Sequence, residues 1–241
     1  MELGSALLGE FIGTAFLVML GDSVVANVVL KGTKGNNSGW IVITVGWATA
    51  VLLPALMFGV MSGAHFNPAL TIALAASGNF NWAWVPLYIL VQFLGGIVGA
   101  FLVWVMYKDH LDATSDPGTQ LAVFCTGPAI RNIPRNFICE VIATFVLLFA
   151  LTAGIAQAAD GGFGAIGMWR VWAVILVVGM ALGGTTGYAI NPVRDLAPRI
   201  IHAILPMKGK GKSDWGYAWI PVVGPIVGAV LGSLASIAVF G

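Results

Sequence analysis

The chain has 241 residues, 59% of them hydrophobic and 9% charged, with a formal net charge of +1 and a mean hydropathy of +0.93. A soluble domain carries about 25% charged residues, so this chain cannot cover a water-facing surface. It reads as an all-α integral membrane protein without a separate soluble domain. The net charge says nothing about nucleic acid, no Lys/Arg patch argues for it, and no nucleic-acid partner is expected.

A membrane-crossing helix needs about 20 mostly apolar residues, and six such runs follow one another. The first covers about 5–30 and holds Glu10, Thr14 and, near its far end, Asp22, which reads as interfacial. Glu2 stands where a cleaved signal would be basic, so no signal peptide is expected. A short loop from Lys31 leads to the second run, about 40–60, which contains Trp47. Ser62–Phe66 then leads into Asn67-Pro68-Ala69. Asn is a favoured N-cap and Pro a favoured first helical residue, so a short helix is predicted over 67–77. The third run, about 83–107, carries Gly95-Gly-Ile-Val-Gly-Ala100. Lys108 to Asn136 reads as a long loop. The fourth run, about 137–158, carries Glu140 and Thr144, and Asp160–Gly164 reads as a tight connection. The fifth, about 169–186, carries Gly179. Thr185–Ile190 leads into Asn191-Pro192-Val193, Arg194 and Asp195, which open a second short helix over 191–202. A loop with Lys208, Lys210 and Lys212 precedes the sixth run, about 217–240. The two cysteines, Cys125 and Cys139, form neither a disulfide framework nor a metal-ligand pattern, and no cofactor is implied.

The chain repeats itself. Glu10-x-x-x-Thr14 recurs as Glu140-x-x-x-Thr144 (140 − 10 = 130), Asn67-Pro68 as Asn191-Pro192 (191 − 67 = 124), and Gly95-Gly-Ile-Val-Gly-Ala100 as Gly224-Pro-Ile-Val-Gly-Ala229 (224 − 95 = 129). Each half, about 1–107 and about 137–241, holds three crossings. An odd number means that the second half enters from the opposite face. Inverted repeats of this kind place their site near the membrane midplane, where the halves meet.

Eleven helical residues span roughly 16 Å, about half of a ~30 Å hydrocarbon core. Inversion points the two short helices at each other, N-terminus to N-terminus. Their non-helical approaches leave backbone carbonyls unpaired, which is tolerable at membrane depth only beside a watery cavity. A polar pore is therefore expected. It would be lined by the carbonyls of Gly63, Ala64, His65, Gly187 and Ala189, with Asn67 and Asn191 at its centre. Each capping oxygen binds the helix, and each NH₂ is left free for a solute. The converging positive helix ends repel cations and protons.

Ser62-Gly-Ala-His-Phe-Asn-Pro-Ala-Leu-Thr71 and Gly187-Tyr-Ala-Ile-Asn-Pro-Val-Arg-Asp-Leu-Ala-Pro198 resemble the two signature loops of the major intrinsic proteins, the aquaporins and glycerol facilitators. The resemblance covers the whole chain. It implies six transmembrane helices plus two re-entrant half-helices in one channel domain over 1–241, and a passive channel rather than an enzyme. It also implies a homotetramer in the lipid bilayer of the cell membrane. Carried over by spacing, the family's narrowest point falls on Trp47, Gly179, Tyr188 and Arg194. Trp47 with Gly179, and Asp195 after Arg194, resemble the glycerol-facilitator branch. There, Gly179 leaves space, Trp47 offers an apolar wall and Arg194 offers donors to hydroxyls.

Two positions depart from that branch. Tyr188 stands where Phe is usual, which adds short protonated hydroxy acids to the solutes considered beside glycerol and water. Val193 stands where the second motif usually has Ala, so a local packing adjustment is expected. Glu10 and Glu140 read as supports that accept N–H bonds from the re-entrant loops, and Asp195 as a further support. The alternatives are a water-selective channel and, less favoured, a coupled secondary transporter. The resemblance puts both termini in the cytoplasm, whereas the Lys/Arg distribution favours the reverse.

Overall fold

The computed structural model describes residues 2–157 and 166–241. Among them are nine α-helices in the order α1 (Leu3–Val29), α2 (Trp40–Ser62), α3 (Pro68–Ala76), α4 (Val85–Ala113), α5 (Pro117–Phe124), α6 (Ile133–Ala156), α7 (Trp169–Leu182), α8 (Pro192–Ile204) and α9 (Ile220–Phe240). Five of them (α1, α2, α4, α6 and α9) are long and apolar enough to cross a membrane. Helix α7 is shorter, at 14 residues. It stops before the predicted 186 because Gly183 and Gly184 release the chain into the second approach loop.

One expectation needs correction. The stretch 108–136 is not one loop, because α4 continues to Ala113 and α5 follows. The reason is a cap that composition hid: Asp116 accepts from the Thr119 N–H at 2.7 Å, and Pro117 takes the first helical position. The tight connection expected at 160–164 lies outside the described residues.

The packing follows the repeat. Helix α1 lies against α2 and α4, and α6 against α7 and α9. Small residues let these backbones touch. A Cβ at Gly95 or Gly99 would overlap the Phe11 or Ala15 carbonyl of α1, and one at Gly228 or Gly232 would overlap the Val141 or Phe145 carbonyl of α6. The short helices cross over between the halves: α3 packs on α9, and α8 on α4. Each half therefore holds the other half's re-entrant element, which fixes where the two Asn-Pro steps meet.

Candidate functional site

Both approach loops have the same backbone. Left-handed residues occur at Gly63 (φ 83°), Ala64 (54°) and Phe66 (49°), and at Gly187 (83°), Tyr188 (40°) and Ile190 (46°). Each pair is separated by the offset that relates Asn67 to Asn191. Non-glycine residues held in this sparse region carry strain, which collects at functional sites.

Two buried glutamates hold the loops in that shape. Glu10 accepts from the Ser62 hydroxyl (2.7 Å), the His65 N–H (2.9 Å), the Phe66 N–H (2.7 Å) and the Gln92 amide (2.7 Å). Glu140 accepts from the Thr186 hydroxyl (2.6 Å) and from the Ala189 and Ile190 N–H groups (both 3.0 Å). No described peptide is cis, and across a trans peptide the preceding carbonyl points opposite to the N–H. The carbonyls of Ala64, His65, Tyr188 and Ala189 are thereby turned away from the glutamates. These four residues line one cavity together with Asn67 and Asn191. Ser62 Oγ accepts from the Ala64 N–H at 3.1 Å and turns the Gly63 carbonyl likewise. Among the described residues no such bond orients the Gly187 carbonyl. The Tyr188 carbonyl joins the row, although sequence reasoning had used only that residue's ring.

The asparagines cap as predicted. Asn67 Oδ1 accepts from the Ala69 N–H (2.9 Å), and Asn191 Oδ1 from the Val193 N–H (3.0 Å). Their NH₂ groups are not wholly free, however. Asn67 donates to the Ile190 carbonyl and Asn191 to the Phe66 carbonyl, both at 2.9 Å. One N–H of each amide ties the two halves together, leaving one to face the cavity.

Trp47, Tyr188 and Arg194 line this cavity and also a second one, bounded by Val25, Cys125 and Thr126. They stand where the two cavities meet. The Arg194 guanidinium lies 4.0 Å from the Trp47 ring centroid, a cation–π contact. No solute passes between groups that close, so the two form one wall rather than opposite walls. Gly179 does not leave open space, because a Cβ there would lie 2.9 Å from Tyr188 Cζ. The phenol ring occupies the gap, held edge-on by Trp40 (centroids 5.8 Å apart), whose indole N–H donates to the Gly179 carbonyl at 3.1 Å. Trp47 Nε1 and Tyr188 Oη are buried without a hydrogen-bond partner. Two unmet polar atoms where the cavities meet call for a polar visitor.

Other residues support this ring. Asp195 accepts from the Thr126 N–H (2.8 Å) and hydroxyl (2.7 Å) and from Arg199 Nε (2.9 Å). The fully buried Arg199 also donates to the Ser213 and Thr126 carbonyls. Val193 fits through a compensating glycine, since a Cβ at Gly96 of α4 would lie 2.6 Å from Val193 Cγ1. The larger motif residue is thus accommodated towards α4. In the other half the sizes are exchanged, with Ala69 in the motif and Pro225 at the position matching Gly96.

Asp22 is not interfacial. It is fully buried, and its Oδ1 lies 3.5 Å from Arg194 Nη1. A signal for it existed, because a carboxylate inside an apolar span is costly enough to be read as functional by default. Arg199, charged within the second short helix, carried the same mark, whereas Trp40 and Thr126 did not, since only the folded chain brings them to the site.

The family model described as "Major intrinsic protein" matches residues 1–236. The chain is 53% identical over 230 residues to the probable glycerol uptake facilitator protein of Thermotoga maritima, covering 95% of this chain and 97% of the relative. It is 51% identical over 229 residues to the glycerol uptake facilitator protein of Streptococcus pneumoniae, covering 95% and 96%. The aquaglyceroporin of Plasmodium falciparum superposes with a TM-score of 0.84 at 30% identity, over 97% of this chain and 95% of that one.

Proposed function

This chain belongs to the major intrinsic protein family, and from that premise we propose that it carries glycerol and other small uncharged solutes passively, with water, through its central passage. It is a multi-pass membrane channel and not an enzyme. Residues 1–241 act as one channel domain, and four copies assemble in the bilayer.

The observation that carries this reading is the two-sided chemistry of the passage. One flank presents the carbonyls of Ala64, His65, Tyr188 and Ala189, the two Asn amides, Arg194, and Trp47 and Tyr188 with their unmet Nε1 and Oη. The other flank is Leu17, Val51, Leu147, Leu151, Val171 and Ile175. A linear polyol has the same division, with hydroxyls along one edge and C–H groups along the other. Its hydroxyls replace lost water contacts on the polar flank, and its carbons lose little against the apolar one. Trp47, Gly179, Tyr188 and Arg194 set the solute, Gly179 by seating the Tyr188 ring. Ions and protons are turned back by Arg194 and by the positive ends of α3 and α8.

The Tyr188 hydroxyl favours a second, narrower reading. A short protonated hydroxy acid carries a carboxyl group beside its hydroxyl, and Tyr188 Oη, which has no partner in the protein, supplies one further group to bind it.

Uptake of labelled glycerol into vesicles bearing the purified protein tests the proposal. Uptake that equilibrates without a proton gradient is expected. A requirement for that gradient would replace the channel with a coupled transporter.

A further inference from the structure

We infer that Asp22 is a positioning residue for the constriction, fixing the Arg194 guanidinium at the wall and balancing its charge. This rests on the reading of Trp47, Gly179, Tyr188 and Arg194 as the solute filter.

Adjacent residues of α1 hold the two stacked groups. A Cβ at Gly21 would overlap the six-membered ring of Trp47, so only glycine lets α1 lie against it. The next residue, Asp22, places Oδ1 3.5 Å from Arg194 Nη1. Asp22 lines neither cavity, so it reaches Arg194 from outside the passage. Among the described residues the guanidinium donates no hydrogen bond to the protein. Its place therefore depends on the Trp47 face at 4.0 Å and the carboxylate of Asp22. Asp195 cannot substitute, because Thr126 and Arg199 occupy its oxygens. The two buried guanidiniums thus have one carboxylate each. A charge pair in so dry a place is weakly screened. Paired, Arg194 offers its remaining N–H groups to a neutral solute and little net attraction to an anion. Unpaired, it becomes a cation free to swing across the narrowest point.

The test is water and glycerol permeability of Asp22→Asn and Asp22→Glu vesicles beside wild type, with and without added nitrate. Asp22→Ser serves the same comparison if the Asn variant does not assemble. Misplacing a positioning group by about 1 Å costs up to ~10²-fold. Asp22→Asn should lower glycerol permeability on the order of tenfold and water permeability much less, and nitrate should slow its water flux. Wild type and Asp22→Glu, which keep the charge, should ignore nitrate. Nitrate insensitivity of the neutral variant, or an equal loss of both fluxes, would overturn the inference. Absence of glycerol flux in wild type would instead overturn the filter reading, while the effect of nitrate on water flux would still decide the charge pairing.

Discussion

Asn67 and Asn191 each donate to the carbonyl that precedes the other, Asn67 to Ile190 and Asn191 to Phe66, both at 2.9 Å. The two half-helices are therefore not merely opposed. Each cap also clamps the loop of the opposite repeat, so two reciprocal bonds join the halves beside the centre of the passage.

The clamp can be broken without losing the cap. Asn67→Asp keeps an oxygen for the Ala69 N–H, removes the donor to Ile190 and places negative charge where cations are otherwise repelled. A barrier lower by about 1.4 kcal/mol raises a rate tenfold, and proton leak in vesicles loaded with a pH dye should rise by at least about that factor. An unchanged leak would show that Arg194 and the helix ends repel protons without the Asn67 amide.

The glutamates should matter for stability more than for selectivity. Glu140→Gln turns an NH₂ towards N–H groups that need acceptors, and each unsatisfied buried group costs about 1–3 kcal/mol. A lower unfolding temperature in detergent, with an unchanged glycerol-to-water ratio in the surviving protein, is expected. A shifted ratio at unchanged stability would place Glu140 in the filter itself.

Val193 and Gly96 should behave as one packing unit. Gly96→Ala alone forces the Val193 side chain aside, at about 1–3 kcal/mol for overpacking. Combined with Val193→Ala, part of that loss should return while the contact with Ala197 Cβ at 2.9 Å remains, a coupling of about 0.5–3 kcal/mol. Thermal unfolding of the two single variants and the double variant measures it, and additive losses would mean that the two side chains do not share one space.

Tyr188 separates the two solute readings. Tyr188→Phe keeps the ring over Gly179 and Gly183 and removes only Oη. One hydrogen bond is worth about 0.5–1.5 kcal/mol net, so preference for a hydroxy acid over glycerol should fall roughly two- to tenfold. Preference unchanged in solute competition would remove the hydroxyl from recognition. Gly179→Ala, by contrast, pushes the ring off its seat and should slow glycerol before water.

Much of this architecture was legible because membrane burial leaves few ways to place polar residues. Asn67-Pro68 and Asn191-Pro192 announced helix starts, and the matched Glu10 and Glu140 announced supports for the loops. The constriction was less legible. That Trp47 and Arg194 stack, and that Tyr188 fills the gap at Gly179, depends on side-chain directions set by distant residues such as Trp40 and Gly21. Asp22 was misread because its position along the span was weighed while the cost of its charge was not. The fit of Val193 required knowing that α8 packs on α4, a contact between halves that spacing within either half does not contain.

The most direct test of the central claim is stopped-flow light scattering of vesicles bearing the wild-type protein, mixed with excess glycerol. Fast shrinkage as water leaves, followed by re-swelling much faster than in protein-free vesicles, is the result predicted for a passive glycerol passage. Fast shrinkage with re-swelling no faster than in protein-free vesicles would contradict it and leave a water-selective channel.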